Sequence, residues 1–284
     1  MADLFAHLTE TFIYKDVYKI RWNRMENSTK PAVILTHGTP FSSLEWLPYA
    51  RALRADYCVY LWDLPGFDAS QEFTTSLDED VDVDVSYALH GEVFAALCRH
   101  WGFPNACDKR PHVVAHDIGG HAVSRAHVLH GVRYASLCLL DVVALTPWGT
   151  GFLRLVRENA AVFESVPQHI FQGMLEAYVR SASYEPLATE KIDEFVRPWL
   201  ARGDAGRRSF VRQVRWASPR HTVEMAEFMG RAMESEESSS EKKLKIIWGE
   251  EDTWLPIEIG ERLKDLTVPA EFVRVGGGTS GVGR

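Results

Sequence analysis

The chain has 284 residues, 46% apolar and 25% charged, enough to bury one large α/β core with an insertion and far from a disordered composition. Its formal net charge of -8 gives no attraction for phosphate backbones, which argues against a nucleic-acid partner. No stretch approaches the ~18 uncharged apolar residues of a membrane helix, and the opening MADLFAHLTETFIYKD lacks the basic-then-apolar order of a secretory leader. The four cysteines (Cys58, Cys98, Cys107, Cys138) form no CxxC pair and read as reduced thiols of a cytoplasmic protein.

In chain order, Thr11–Trp22 alternates apolar and polar residues and is predicted as an antiparallel edge strand. Ala32–Leu35 is a short apolar strand ending at Thr36-His37-Gly38, and Tyr57–Trp62 is a second, ending at Asp63-Leu64-Pro65-Gly66. A helix is predicted around Val85–Trp101. His112–Ala115 and Leu137–Leu140 are the third and fourth strands, with a helix over Gly120–Gly131 between them. Leu244–Trp248 and Phe272–Val275 are late strands. Near-continuous apolar character in these short strands fits a mostly parallel sheet covered on both faces.

The stretch 147–233 differs. It carries amphipathic patterns at Phe152–Phe163, His169–Ser181, Thr189–Leu200, Arg207–Trp216 and Val223–Met233, with no strand among them. The organisation predicted is a first core segment (1–146), an inserted helical lid (147–233), a polar linker (234–242) and a second core segment (243–284).

The chemistry is concentrated at Ala115-His116-Asp117-Ile118-Gly119-Gly120. Small residues flank a central side chain between a strand and a helix, which permits a turn sharp enough to lift that side chain above the sheet edge. Here that side chain is the carboxylate of Asp117. An isolated aspartate at this place would read as a helix cap, but the flanking strand and glycines favour a nucleophile. His37-Gly38-Thr39-Pro40 follows the first apolar strand in the same way. His37, His116 and His121 flank these two turns and are pocket candidates, with loop holding or packing as the alternative.

HGTPFSSLEW, LWDLPGFDAS, VVAHDIGG, LLDVVALTPWG and WGEEDTWLP, in this order and spacing, resemble the α/β-hydrolase superfamily, and within it the aspartate-nucleophile branch of haloalkane dehalogenases, haloacetate dehalogenases and epoxide hydrolases. The resemblance runs from about Lys30 to Val275. It implies an α/β-hydrolase fold with a helical lid and no cofactor or metal. It further implies an oxyanion hole from the Thr39 and Ile118 amides, and attack by Asp117 on an electrophilic carbon of a small molecule to give an aspartyl ester. A histidine oriented by an acid would then activate water against that ester. Asp252 is the preferred acid, with Asp141 as the fallback. Tyr178 and Tyr184 are lid tyrosines of the kind that protonate an epoxide oxygen, and Trp148 and Trp254 are candidates for the apolar pocket.

The departures narrow the substrate. Ile118 stands where haloalkane dehalogenases typically carry a halide-gripping tryptophan. Ile118 and His121 stand where haloacetate dehalogenases typically carry arginines. No histidine follows His221, and Gly276-Gly277-Gly278 replaces the turn where the resemblance places the catalytic one. The expectation is therefore a chain cut at its histidine and lacking the last helix, through a truncated gene or as a degenerate protein, unless His116 or His121 substitutes. The alternatives to an epoxide or carbon–halogen hydrolase are a non-catalytic α/β-hydrolase-fold protein and an ester or lactone hydrolase of a biosynthetic pathway.

Overall fold

The computed structural model describes residues 7–25, 29–71, 73, 82–103, 110–234, 244–267 and 270–276. The linker expected at 234–242, apart from Glu234, and the glycine-rich tail beyond Gly276 lie outside the described residues, as does Cys107.

The chain opens on a hairpin, not on the single edge strand expected: β1 (Glu10–Tyr14) pairs antiparallel with β2 (Tyr18–Met25). Lys15 and Asp16 both take positive φ between them, and the Val17 N–H donates to the Tyr14 carbonyl to close the turn. No Asn-Gly or Asp-Gly pair announces this mirror-image turn, so alternation alone reads straight through it. β2 continues antiparallel onto β4 (Cys58–Trp62). The remaining pairings, through β3 (Ala32–Thr36), β5 (His112–Asp117), β6 (Ser136–Val142), β7 (Leu244–Gly249) and β8 (Ala270–Val275), are parallel. The spatial order is β1-β2-β4-β3-β5-β6-β7-β8.

The strand period of two sorts each β-strand between two cores. Val33 and Leu35 join Val59 and Leu61 on one face, with Leu8, Trp46 and Ala50. Ile34 joins Tyr60, Trp62, Val113 and Ala115 on the other, beneath α2 (Tyr87–His100) and α3 (Ile118–His130). α1 (Leu47–Leu53) covers the first face.

Between β6 and β7 lie α4 (Gly151–Glu158), α5 (Ala160–Glu164), α6 (Gln168–Arg180), α7 (Thr189–Leu200), α8 (Asp204–Trp216) and α9 (Pro219–Glu234). The single helix expected over Phe152–Phe163 is broken at Asn159, whose backbone leaves the helical region (φ -130°, ψ 38°). Three hydrogen bonds seat the inserted helices on the core loops: Trp199 Nε1–H to the Pro40 carbonyl, the Ser209 hydroxyl to the Gly66 carbonyl, and Gln213 Nε2–H to the Pro65 carbonyl. α9, grouped with the insertion in the sequence reading, instead rides on α3. The Arg125 guanidinium there donates to the His221 carbonyl and to Glu224. α10 (Ile257–Leu266) connects β7 to β8. Among the described residues no helix is long and apolar enough to cross a membrane.

Candidate active site

Asp117 is the last residue of β5 and the residue before α3. Its backbone lies at φ 48° and ψ -119°, a region that costs a non-glycine residue roughly 1–3 kcal/mol and persists only where the surroundings enforce it. The enforcement is visible in the neighbouring glycines. A Cβ on Gly119 would stand 2.5 Å from the His37 carbonyl oxygen, and one on Gly38 would stand 2.7 Å from the Asp117 Cβ. The β3 and β5 turns are therefore pressed together, and only missing side chains allow it.

The close approach gives the carboxylate its partners. The Thr39 N–H donates to Asp117 Oδ2 at 2.7 Å, and the Ile118 N–H also bonds the carboxylate. These are the two amides expected from the motifs. The residue is half-buried, its carboxylate set down in the elbow. Burial raises its pKa, while the nearby His116 charge and the two amides pull it down, leaving it at about 6.

His116 points the other way. Its Nδ1 lies 3.3 Å from both oxygens of Glu45, and its ring stacks on Phe41. Burial disfavours its charge, but the Glu45 carboxylate overcomes this and lifts the pKa to about 9. Glu45 also accepts the Gly38 N–H at 3.3 Å, so one buried carboxylate ties the imidazolium to the β3 turn. The sequence reading missed Glu45. The only signal was an acid between Leu44 and Trp46, which is equally at home on a helix surface.

Two more carboxylates sit behind Asp117. Asp141, near the end of β6 and at φ 42°, accepts the Gly249 N–H at 2.8 Å. Asp252, in the turn after β7, accepts the Trp254 and Leu255 N–H groups at 2.7 and 2.9 Å. Burial, with Asp252 as neighbour, raises Asp141 to about 7. Burial raises Asp252 to about 6 against its two amides. Both acid positions considered from the sequence are thus buried side by side, and neither is hydrogen-bonded to a histidine.

A cavity of about 280 Å³ opens above the elbow, bounded by Thr39, Phe67, Tyr87, Ile118, Trp148, Leu153, Trp199 and Phe210, with Arg154, Arg157 and Gln213 in its walls. A narrower recess of about 30 Å³ shares Thr39, Tyr87, Ile118, Trp148, Gly149, Thr150 and Leu153 with it. This recess reaches Asp117 itself, beside Tyr178, Trp254 and Leu255. Tyr178 stacks on Trp254 with ring centroids 4.2 Å apart. Its buried hydroxyl has no hydrogen-bond partner of ordinary length, and burial pushes its pKa well above the usual tyrosine value.

Four pocket assignments are corrected. Tyr184 is 57% exposed and lies outside the cavity, because the loop after α6 carries it to the surface. His37 is buried behind the turn, where its Nε2 accepts the Leu64 N–H and its Nδ1 meets the Gly38 carbonyl. His121 is buried on α3 with Nδ1 on the Val143 carbonyl, and burial holds its pKa at about 3. His116 is committed to Glu45. All eleven histidines of the chain fall among the described residues, and none lines the cavity. Among the described residues no cluster of metal-ligating side chains is found.

The fold agrees with the comparisons. Residues 33–278 match the family model described as the Alpha/beta hydrolase family, and the chain belongs to that family. The structure is similar to an alpha/beta hydrolase fold protein from Burkholderia ambifaria, at 31% identity and a TM-score of 0.79, covering 95% of this chain and 91% of that one. It is also similar to a haloalkane dehalogenase from Bradyrhizobium elkani, at 13% identity and a TM-score of 0.67, covering 96% and 89% of the two chains. At 16% identity and a TM-score of 0.63 it resembles a thermophilic esterase from Thermogutta terrifontis, covering 92% and 86%. The last two likenesses speak for the fold alone. In sequence, 128 residues are 29% identical to a fluoroacetate dehalogenase of Burkholderia sp, 45% of this chain and 40% of that relative's length.

Proposed function

We propose that this protein is a small-molecule hydrolase of the aspartate-nucleophile type, attacking an electrophilic sp3 carbon through Asp117. The observation that carries this reading is the Asp117 carboxylate at the cavity, held at a strained elbow with Oδ2 2.7 Å from the Thr39 N–H. With Oδ2 fixed by the amides, the other oxygen is the one available to substrate. It forms a C–O bond as the carbon–halogen bond breaks and the halide leaves with the electron pair. For an epoxide, the C–O ring bond breaks instead, and the unpartnered Tyr178 hydroxyl is placed to supply the proton. The aromatic recess of Tyr87, Trp148, Tyr178 and Trp254 excludes water from the developing charge. Similarity to a fluoroacetate dehalogenase supports the carbon–halogen reading.

Hydrolysis of the resulting ester needs a base for water, and the two amides would hold the oxyanion. Asp252, with Asp141 as the alternative, would orient such a base. No histidine lines the cavity, and His116, charged through its Glu45 partner, cannot accept a proton at neutral pH. Cys58, Cys98 and Cys138, none of them in a disulfide among the described residues, support a cytoplasmic setting, and the net charge of -8 supports a small-molecule partner over a nucleic acid.

Incubation with 1,2-epoxyhexane or 1-bromohexane, followed by intact mass and peptide mapping, tests the reading. One stoichiometric adduct on Asp117, lost in Asp117→Asn, is expected. Modification elsewhere, or adduct formation or turnover that survives Asp117→Asn, would overturn it.

A further inference from the structure

The larger chamber has two ends of opposite character. Toward Asp117 its walls are Tyr87, Ile118, Trp148 and Leu153, without a cation. Along α4, Thr150, Leu153, Arg154 and Arg157 follow one another at i, i+3, i+4 and i+7, so one face of the helix borders the chamber, with Arg157 half-buried in its wall and Arg154 exposed at its rim. The Arg157 guanidinium donates to the Ala217 carbonyl at 3.1 Å, which anchors it with donors to spare. The Arg154 side chain makes no hydrogen bond or ion pair among the described residues. Among them, too, no carboxylate lines this chamber. In a chain of net charge -8, two guanidinium groups bordering one cavity without an acid are matched to an anionic ligand.

We infer that the chamber selects an organic monoanion, its carboxylate or sulfonate held by Arg154 and Arg157 and its apolar body running to the electrophilic carbon at Asp117. The inference rests on Asp117 as the alkylated group. It places the anion away from the reacting carbon. Beside Asp117, Ile118 is apolar, and His121 is buried with Nδ1 on a backbone carbonyl, so neither can hold a carboxylate there. A substrate whose anion adjoins its leaving group, such as a two-carbon halo acid, would leave the arginines unused. A longer ω-halo or epoxy acid engages both ends. The arginines also offset the repulsion between the anion and the Asp117 carboxylate.

The test compares 6-bromohexanoate with 1-bromohexane by the rate of the Asp117 mass adduct. A charge-assisted hydrogen bond corresponds to about ten- to a hundredfold, so the acid should react at least about tenfold faster. In Arg154→Gln, and more so in Arg154→Gln/Arg157→Gln, this ratio should collapse toward one. Arg154→Gln alone keeps the test open if the double variant misfolds, because it removes no bond seen in the fold. Equal rates in the parent protein, or a ratio unchanged in the variants, would overturn the inference. If neither bromide alkylates Asp117, the nucleophile reading fails, and the anion site is judged separately by unreactive hexanoate. Hexanoate should raise the melting temperature of the parent more than hexanol does, and not that of Arg154→Gln. Equal shifts for hexanoate and hexanol refute the anion site.

Discussion

Asp117→Asn should change the pH dependence of stability in a calculable way. The carboxyl has a pKa of about 6 in the folded chain, against 3.8 for an aspartate in water. A raised folded pKa means that the protonated group favours the fold. That contribution is fully present below pH 3.8 and is lost as pH rises through 6. That elevation corresponds to roughly 3 kcal/mol. Above pH 7 the parent protein therefore carries a cost of that order for keeping an ionised carboxylate in a dry elbow, while the amide variant, which does not titrate, carries none. The stability of the variant minus that of the parent should rise by about 3 kcal/mol between pH 3 and pH 8. In melting temperature this is roughly 5–10 °C for a chain of this size. Urea unfolding of both proteins at half-unit pH steps measures it, and the subtraction cancels every group that titrates alike in the two. A difference curve flat within 1 kcal/mol, or one that falls with pH, would show that Asp117 is not a desolvated carboxylate and would remove the electrostatic basis for its role. The sign also has a functional meaning: a nucleophile held ionised against its surroundings is a stability cost retained for reactivity.

Glu45→Gln should be severe despite its conservative shape. It leaves the buried His116 without its carboxylate, and breaking a buried pair of this kind costs about 3–5 kcal/mol. The His116 pKa should fall from about 9, because the charge that raises it is gone; urea midpoints and the imidazole proton shift against pH report the two effects, and an unmoved His116 titration would sink the pairing. Tyr178→Phe removes a buried hydroxyl that has no partner, so the melting temperature should hold or rise slightly. If Tyr178 donates the proton to an epoxide oxygen, the same change should slow adduct formation by 1,2-epoxyhexane by about a hundredfold or more while sparing 1-bromohexane. Equal slowing of both reagents would assign Tyr178 to packing.

The α/β-hydrolase family also contains serine-centred esterases, and the esterase similarity reported above carries the same sheet. What separates the chemistries is the side chain at the elbow and what surrounds it, not the sheet beneath. Here the elbow carboxylate of Asp117 has two buried carboxylates near it, Asp141 and Asp252, with one charged imidazole from His116. Each carboxylate accepts backbone N–H groups that limit how far burial can raise it.

The amino-acid order alone determined the sheet and the elbow. Strands such as Ala32–Leu35 and His112–Ala115 are short apolar runs bounded by turn residues, a local signal that needs no partner to be read. Ala-His-Asp-Ile-Gly-Gly is local in the same sense, because sterics within six residues dictate the turn. The β1–β2 hairpin and the break at Asn159 escaped because positive φ at Lys15 and Asp16 and a non-helical Asn159 carry no obligatory residue type. Only the tertiary structure decided which way the polar side chains face. His116 and Asp117 are neighbours in sequence, yet one turns to Glu45 and the other to the cavity, because successive strand residues point to opposite sides. Glu45 and His116 are 71 residues apart, and Asp141 meets the Gly249 amide across 108. Such pairs exist only once parallel strands bring distant turns to one edge. Tyr178 and Tyr184 show the same limit: six residues apart and alike in sequence, one is stacked in the recess and the other stands in solvent. Burial is a property of the packed whole, so the carboxylate and its two amides could be named from the sequence, while its pKa and the arginines bordering its cavity could not.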